Sequence, residues 1–333
     1  MKKIGITTTV PIEVLYAAGF TPVDMNNLFI ESKNYSKFID IAERDGFPKS
    51  MCAWIKGMYG ACIENNISVI VGVIEGDCSN TKILSEILQR RGIKVYPFSF
   101  PFGRGIEEIE ASIRKLISDL NAEYSEVEKL RNRFNKIRNL GIKLDELTYL
   151  ENKANGWDNH FYLVNFSDFC GNPDNFETEL TERLAEIEHS KANHYLVKLG
   201  YIGVPPMTSD IYKFANKYDA TFVYNEVQRE FAFPRYKSDR NIFEQYQNYT
   251  YPYNNEFRIS EIKKQIKLRK IDAIIHYTQA FCHRAIENII LKEEIEIPII
   301  NIEGDKLNVL DARTKLRLEA FLDMVADIKK TEL

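Results

Sequence analysis

Apolar positions along this chain recur with two periods. Val69, Ile70, Val71, Val73 and Ile74 form an almost unbroken β-branched run, the pattern of a strand buried on both faces of a parallel sheet. The run ends in Glu75-Gly76-Asp77-Cys78-Ser79-Asn80-Thr81, and residues 82–90 then follow helical spacing. Residues 3–9 predict a first strand. Pro11 suits the first position of a helix over 12–18 that stops at Gly19, and Glu13 in its first turn complements the helix dipole. An extended piece at 21–24 and a helix at 34–45, closed by Gly46-Phe47-Pro48, come next. Cys52 then opens another helical stretch that also carries Cys62. Residues 93–98 predict the strand after residues 82–90. Strands alternating with helices in this way predict a parallel sheet.

From 106 to about 150, Ile109, Ile113, Leu116, Ile117 and Leu120 stand at helical spacing among charged residues, which predicts helices with a solvated face. A helical segment extends to 190. A second α/β unit follows, with strands at 195–203, 221–226, 271–277 and 298–302, and helices at 211–217, 260–270 and 311–329. Thr208 or Ser209 suits the cap of the first of these helices. An aromatic- and charge-rich connection spans 231–257. The expected fold is therefore α/β: two Rossmann-like parallel-sheet domains, 1–105 and 191–333, with a helical insertion, 106–190, between them.

Composition narrows the function classes. The 333 residues carry a net charge of −4, which disfavours a broad nucleic-acid surface. No apolar run approaches the roughly 20 residues of a membrane span, and Lys2-Lys3-Ile4-Gly5-Ile6 enters a strand without a signal-peptide core, so a cytoplasmic protein is expected. Five scattered cysteines, Cys52, Cys62, Cys78, Cys170 and Cys282, argue against a disulfide framework. GxxxxGK[ST], GxGxxG and GxSxG are all absent from the sequence.

The candidate chemistry therefore lies with the cysteines. Ligands in open α/β sheets sit outside the carboxyl ends of strands, where Cys78 falls after residues 69–74 and Cys282 after 271–277. At such a place a cysteine either fills the strand end or presents a thiolate, and one position alone does not choose. Cys52, at a helix start, has a thiolate favoured by the dipole, while Cys62 beside Ala61 and Ile63 reads as core. Three thiolates suit zinc or an iron–sulfur cluster, and with no CxxC pair the spacing does not decide.

Several stretches together resemble a known family. These are Thr9-Val10-Pro11-Ile12-Glu13-Val14-Leu15-Tyr16-Ala17-Ala18-Gly19 with Pro22-Val23, Gly76-Asp77-Cys78, Gln279-Ala280-Phe281-Cys282, and Glu303-Gly304-Asp305 with Arg313-Thr314-Lys315-Leu316-Arg317-Leu318-Glu319-Ala320-Phe321-Leu322. In order and kind they resemble the 2-hydroxyacyl-CoA dehydratase subunits, which include the 2-hydroxyglutaryl-CoA dehydratase D-component and benzoyl-CoA reductase subunits. The resemblance implies a 4Fe–4S cluster in the interdomain cleft, held by Cys52, Cys78 and Cys282, with the fourth iron open to substrate. It implies an ATP-hydrolysing iron–sulfur activator as partner, which injects one low-potential electron so that an acyl-CoA ketyl radical expels water. A homo- or heterodimer is also implied.

Next to these ligands, Glu75, Asp77, His276 and His283 are catalytic or supporting candidates. Thr8, Thr9, Ser79, Asn80 and Thr81 are substrate-binding candidates. His283 departs from the acidic residue that relatives often carry after this cysteine, which leaves the proton-transfer chemistry open. Trp54, Tyr59, Phe100, Phe102 and Tyr277 are either walls of a dry cleft or core. Two other readings remain: an iron–sulfur reductase of another small molecule, and a non-catalytic electron-transfer or partner subunit.

Overall fold

The structure, a computed structural model, describes residues 2–233, 240–304 and 309–332. Asp305 and positions 234–239 of the aromatic connection lie outside these described residues. Two four-stranded, all-parallel sheets form the framework. The strands of the first are β1 (Lys2–Ile6), β2 (Phe20–Asp24), β3 (Val69–Glu75) and β4 (Lys94–Ser99), in the order β2-β1-β3-β4. The strands of the second are β5 (Val197–Gly203), β6 (Ala220–Asn225), β7 (Ala273–Thr278) and β8 (Ile299–Glu303), in the matching order β6-β5-β7-β8. No described helix is long and apolar enough to cross a membrane.

The chain divides into two compact units. One takes the described residues within Met1–Asn139, Asn165–Thr178 and Glu230–Asn254; the other takes Leu140–Val164, Glu179–Arg229 and Asn255–Leu333. The helices of the stretch 106–190 are thus shared between the units.

Period-two alternation explains the burial of the second sheet. Ala273, Ile275 and Tyr277 of β7 join one apolar cluster with Leu199, Tyr201 and Phe222, while Ile274 joins another with Ile202, Ile259 and Ile262. In the first unit Ile70 packs with Met25, Ile55, Met58, Leu84 and Leu88 from the surrounding helices.

Local departures from the sequence pattern have identifiable causes. β1 stops at Ile6, because Thr7 turns its hydroxyl to accept from Val73 N–H (2.9 Å). Ile74 is exposed, unlike the rest of the apolar run, where the β3/β4 register shifts between Val73 and Glu75. A helix at Met25–Ile30, unmarked in the apolar pattern, starts where Asp24 both ends β2 and accepts from Asn26 N–H (2.9 Å). The helix after Cys78 begins at Ser79, one turn earlier than its apolar spacing indicates. The helix Asp210–Asn216 has Ser209 at its cap, but neither Ser209 nor Thr208 bonds its N–H groups through a side chain.

Candidate functional site

Chain order places the crevice of each sheet. In the first, β1 leads outward to β2 and β3 leads the other way to β4, so the loops after β1 and β3 diverge from a topological switch point. These loops are Thr7–Pro11 and Gly76–Cys78. In the second sheet the equivalent loops follow β5 and β7, and the β7 loop ends in Cys282. Cys78 and Cys282 therefore hold equivalent positions in two sheets of the same topology.

The first crevice is tightly built. Gly76 takes φ +91°, and a Cβ there would stand 2.4 Å from Phe100 Cβ and 2.9 Å from Pro252 O, so only glycine fits. Thr9 is buried and Thr8 half-buried; Glu75 and Ser79 are exposed; Asp77, Cys78 and Asn80 are half-buried. Thr81 is fully enclosed, and its hydroxyl has no partner among the described residues.

Cys52, Cys78 and Cys282 share one backbone role. Each is the residue immediately before a helix: Ala53–Glu64, Ser79–Arg90 and His283–Ile286 respectively. Their ψ angles are 129°, 128° and 131°, and none makes a side-chain capping bond. Cys52 and Cys78 both pack, half-buried, against the apolar cluster of the first unit. Cys62 is fully buried in that cluster, and burial pushes its thiol up to about 12. Cys170 is exposed, on a left-handed turn (φ 51°).

The second crevice is backed by charge. Gly203, at φ +98°, would place a Cβ 2.1 Å from Tyr277 O, and its N–H donates to Glu226 Oε2 (2.9 Å). Arg258, 1% exposed, holds Glu226 with both ends of its guanidinium (2.7 and 2.8 Å) and reaches Glu287 (2.6 Å). Arg284, two residues past Cys282, donates to both Glu287 oxygens (2.9 and 3.1 Å). A Glu226–Arg258–Glu287–Arg284 chain thus joins the end of β5 to the Cys282 loop.

His276, fully buried beside its ladder neighbour Asn301, has neither ring nitrogen hydrogen-bonded. Burial lowers its pKa to about 4, with the Arg258 charge adding. Burial and the Arg284 charge likewise lower half-buried His283 to about 4. Burial raises the pKa of the Cys282 thiol, against contacts from the Arg284 and Gln279 backbone.

Of the aromatic candidates, Trp54, Tyr59, Phe100 and Tyr277 are core side chains within their own units, and Phe102 is exposed. The Tyr59 hydroxyl donates to Asp45 (2.5 Å) and that of Tyr277 to Gly304 O (3.1 Å).

Among the described residues, no three His, Cys, Asp or Glu side chains are gathered closely enough to hold a metal ion. The donor set nonetheless fits an iron–sulfur group in chemistry. Thiol side chains are its usual ligands, and each of these three stands immediately before a helix.

The chain matches, over residues 7–325, the family described as 2-hydroxyglutaryl-CoA dehydratase, D-component. It belongs to that family. No curated protein matches it. The match supports a dehydratase-type enzyme component.

The structure adds residues that pattern reading passed over in this D-component relative. Asp24 and Asp168 are both buried, and the Asp168 carboxylate accepts from Asp24 N–H (2.7 Å) while Ser167 donates to Asp24 (2.7 Å). Burial and then the Asp24 charge push Asp168 up to about 7, with Glu31 adding, and burial raises Asp24 as well. The one available signal was an aspartate at a strand end. Its partner, 144 residues away, is invisible to any local period.

These groups predict opposite pH responses in the two units. Unfolded carboxyls titrate near pH 4, so the folded first unit binds extra protons up to pH about 7, and its stability falls as pH rises through that window. In the second unit burial lowers His160 to about 3 and His276 to about 4, so the unfolded chain takes up protons first. That unit loses stability as pH falls from about 6.5 to 4. Trp54 reports the first unit and Trp157 the second. Urea unfolding of Trp157→Phe and Trp54→Phe across this range should show midpoints moving in opposite directions; parallel movement would refute the assignment.

Proposed function

We propose that this chain is the iron–sulfur subunit of a 2-hydroxyacyl-CoA dehydratase-type enzyme, with a 4Fe–4S cluster held by Cys52, Cys78 and Cys282. One observation carries the reading. Within a chain of this family, three cysteines each stand immediately before a helix, and two occupy the switch-point loops of matching sheets. When bound, a cluster with three thiolates supplies one low-potential electron and an iron open to a ligand. The reading places the electron's source in a separate ATP-hydrolysing iron–sulfur activator, consistent with a sequence that has no phosphate loop. The reaction would be elimination of water through a ketyl radical of the acyl thioester, with the injected electron given back at the end of each turnover so that the net dehydration is redox-neutral.

The chain's own residues would bind and orient the substrate. Thr8, Asn80 and Ser79 offer hydroxyl and amide donors at the first crevice, and Glu75 and Asp77 offer carboxylates there. His276 and His283 are kept neutral by burial and suit hydrogen bonding to a sulfur or a ligand. Exposed Phe281, Ile286 and Ile289 flank Cys282, and an apolar patch of this kind supports docking of a partner chain.

Anaerobic purification with iron and sulfide analysis, and EPR of the reduced protein, tests the assignment. Iron is expected in the parent and in Cys170→Ala, and it should be lost or spectrally altered in Cys52→Ala, Cys78→Ala and Cys282→Ala. A protein without iron, or all three variants retaining an unchanged signal, would sink it.

A further inference from the structure

The second unit contains a cavity of about 460 Å³ that shares no residue with the cysteine loops. That volume falls in the range of small-molecule sites, about 300–1,000 Å³. Trp157, Tyr212 and Phe222 form its aromatic wall, and Ser209, Asp210 and Lys213 its polar side. Tyr212 meets Phe222 edge-on at 5.1 Å and Trp157 at 5.8 Å. The wall is fixed from behind: the Tyr212 hydroxyl donates to Asn225 (2.8 Å), Asn225 to Asn159 (2.9 Å), and Asn159 to Asp145 (3.0 Å), which Arg269 grips with two bonds (2.9 and 2.6 Å). Tyr212 and Phe222 are buried, whereas Trp157 keeps 38% of its surface open.

Charge selects the ligand. Asp210 is already occupied, accepting from Leu310 N–H (3.0 Å) and facing the Lys315 ammonium (4.0 Å). Lys213 is exposed and forms no ion pair among the described residues, so the cavity's uncommitted charge is positive. A preorganised ring wall, an open indole and an unneutralised ammonium together suit a flat π-system carrying negative charge.

We propose that this cavity binds a planar aromatic ring bearing an anionic group, the chemistry shared by nucleoside monophosphates and aromatic carboxylates. Stacking on the indole holds the ring, as in base–aromatic contacts, and Lys213 pairs with the anion. The site stands independently of the iron–sulfur reading and needs no metal for its test.

Adenosine 5′-monophosphate, adenosine and benzoate are titrated into the full-length protein by calorimetry and tryptophan fluorescence. The chain has two tryptophans, and Trp54 is buried in the other unit, so the probe is selective. Saturable binding of at least one anion is expected, with quenching that persists in Trp54→Phe and disappears in Trp157→Phe. Lys213→Met, a surface change, should weaken it by about two- to fivefold, the loss expected for a solvent-screened ion pair. Tighter binding of the monophosphate identifies a nucleotide source, and tighter benzoate an aromatic acid. No saturable heat with either anion overturns the proposal. So do quenching that survives in Trp157→Phe and adenosine binding as tightly as its monophosphate.

Discussion

Arg258→Met is expected to destabilise the second unit by about 3–5 kcal/mol, the usual consequence of stripping one partner from a buried ion pair. The side chain is 1% exposed and makes three charge-assisted bonds to Glu226 and Glu287. Without it the Glu226 carboxylate, also 1% exposed, keeps only the Gly203 N–H, while Glu287 keeps Arg284. The effect should therefore be larger than for Arg284→Met, whose partner retains Arg258. Urea unfolding followed at Trp157 in a Trp54→Phe background reads the change, and Trp54 of the first unit, followed in a Trp157→Phe background, serves as the control. A midpoint unchanged within error would mean that the network contributes nothing to folding.

Glu13→Ala should have a comparable effect on the first unit. Glu13 and Arg138 are both 0% exposed and lie 2.7 Å apart, and Glu13 also accepts from Tyr246 Oη (2.7 Å) and Gln245 Nε2 (3.0 Å). Burial works to raise the Glu13 pKa, but the Arg138 charge and the Tyr246 bond outweigh it and hold the carboxyl below its ordinary value. Removing the carboxylate leaves a fully buried guanidinium with, among the described residues, the Asn135 amide oxygen (2.9 Å) as its remaining acceptor, again at a cost of about 3–5 kcal/mol. The double variant Glu13→Leu with Arg138→Met should recover much of the loss, because two apolar side chains carry no desolvation penalty. Unfolding at Trp54 measures both. A double variant less stable than Glu13→Ala would show that the polar contacts of Gln245 and Tyr246 matter more than the pair.

The same clamp bears on the candidate site. Tyr246 Oη, whose one proton points to Glu13, also stands 3.2 Å from Val10 O, in the loop that carries Thr8 and Thr9 to the first crevice. In the second unit Arg258 and Glu226 brace Gly203, at the entrance of the corresponding loop. Each crevice is thus supported by a buried acid–base network, and in each the loops owe their position to charges lying behind them.

Much of the framework was legible in the chain. The β-branched run at Val69–Val73 produced a central strand, and the repeated sequence of strand, polar loop, cysteine and helix produced two parallel sheets of like topology. Cys62 read as core from its neighbours and is core. Glu13 illustrates the opposite case. From the sequence it is a first-turn carboxylate complementing a dipole, and in the fold it is a buried ion with a partner 125 residues away (138 − 13). Asp24, Asp168, Glu226 and Arg258 were passed over for the same reason: a charged residue has no periodicity that announces burial.

The set of elements and the kind of residue at each strand end follow from the chain alone, because apolar period and turn chemistry are local properties of the backbone. The chain also carried the family resemblance and, with it, the three cysteines as candidates. Strand order and the packing of distant residues put Cys78 and Cys282 at equivalent switch points, enclose Thr81 and bury four of the aromatics. Those outcomes depend on strand order and on pairs of residues distant in sequence, and desolvation in the folded core sets the price of each charge.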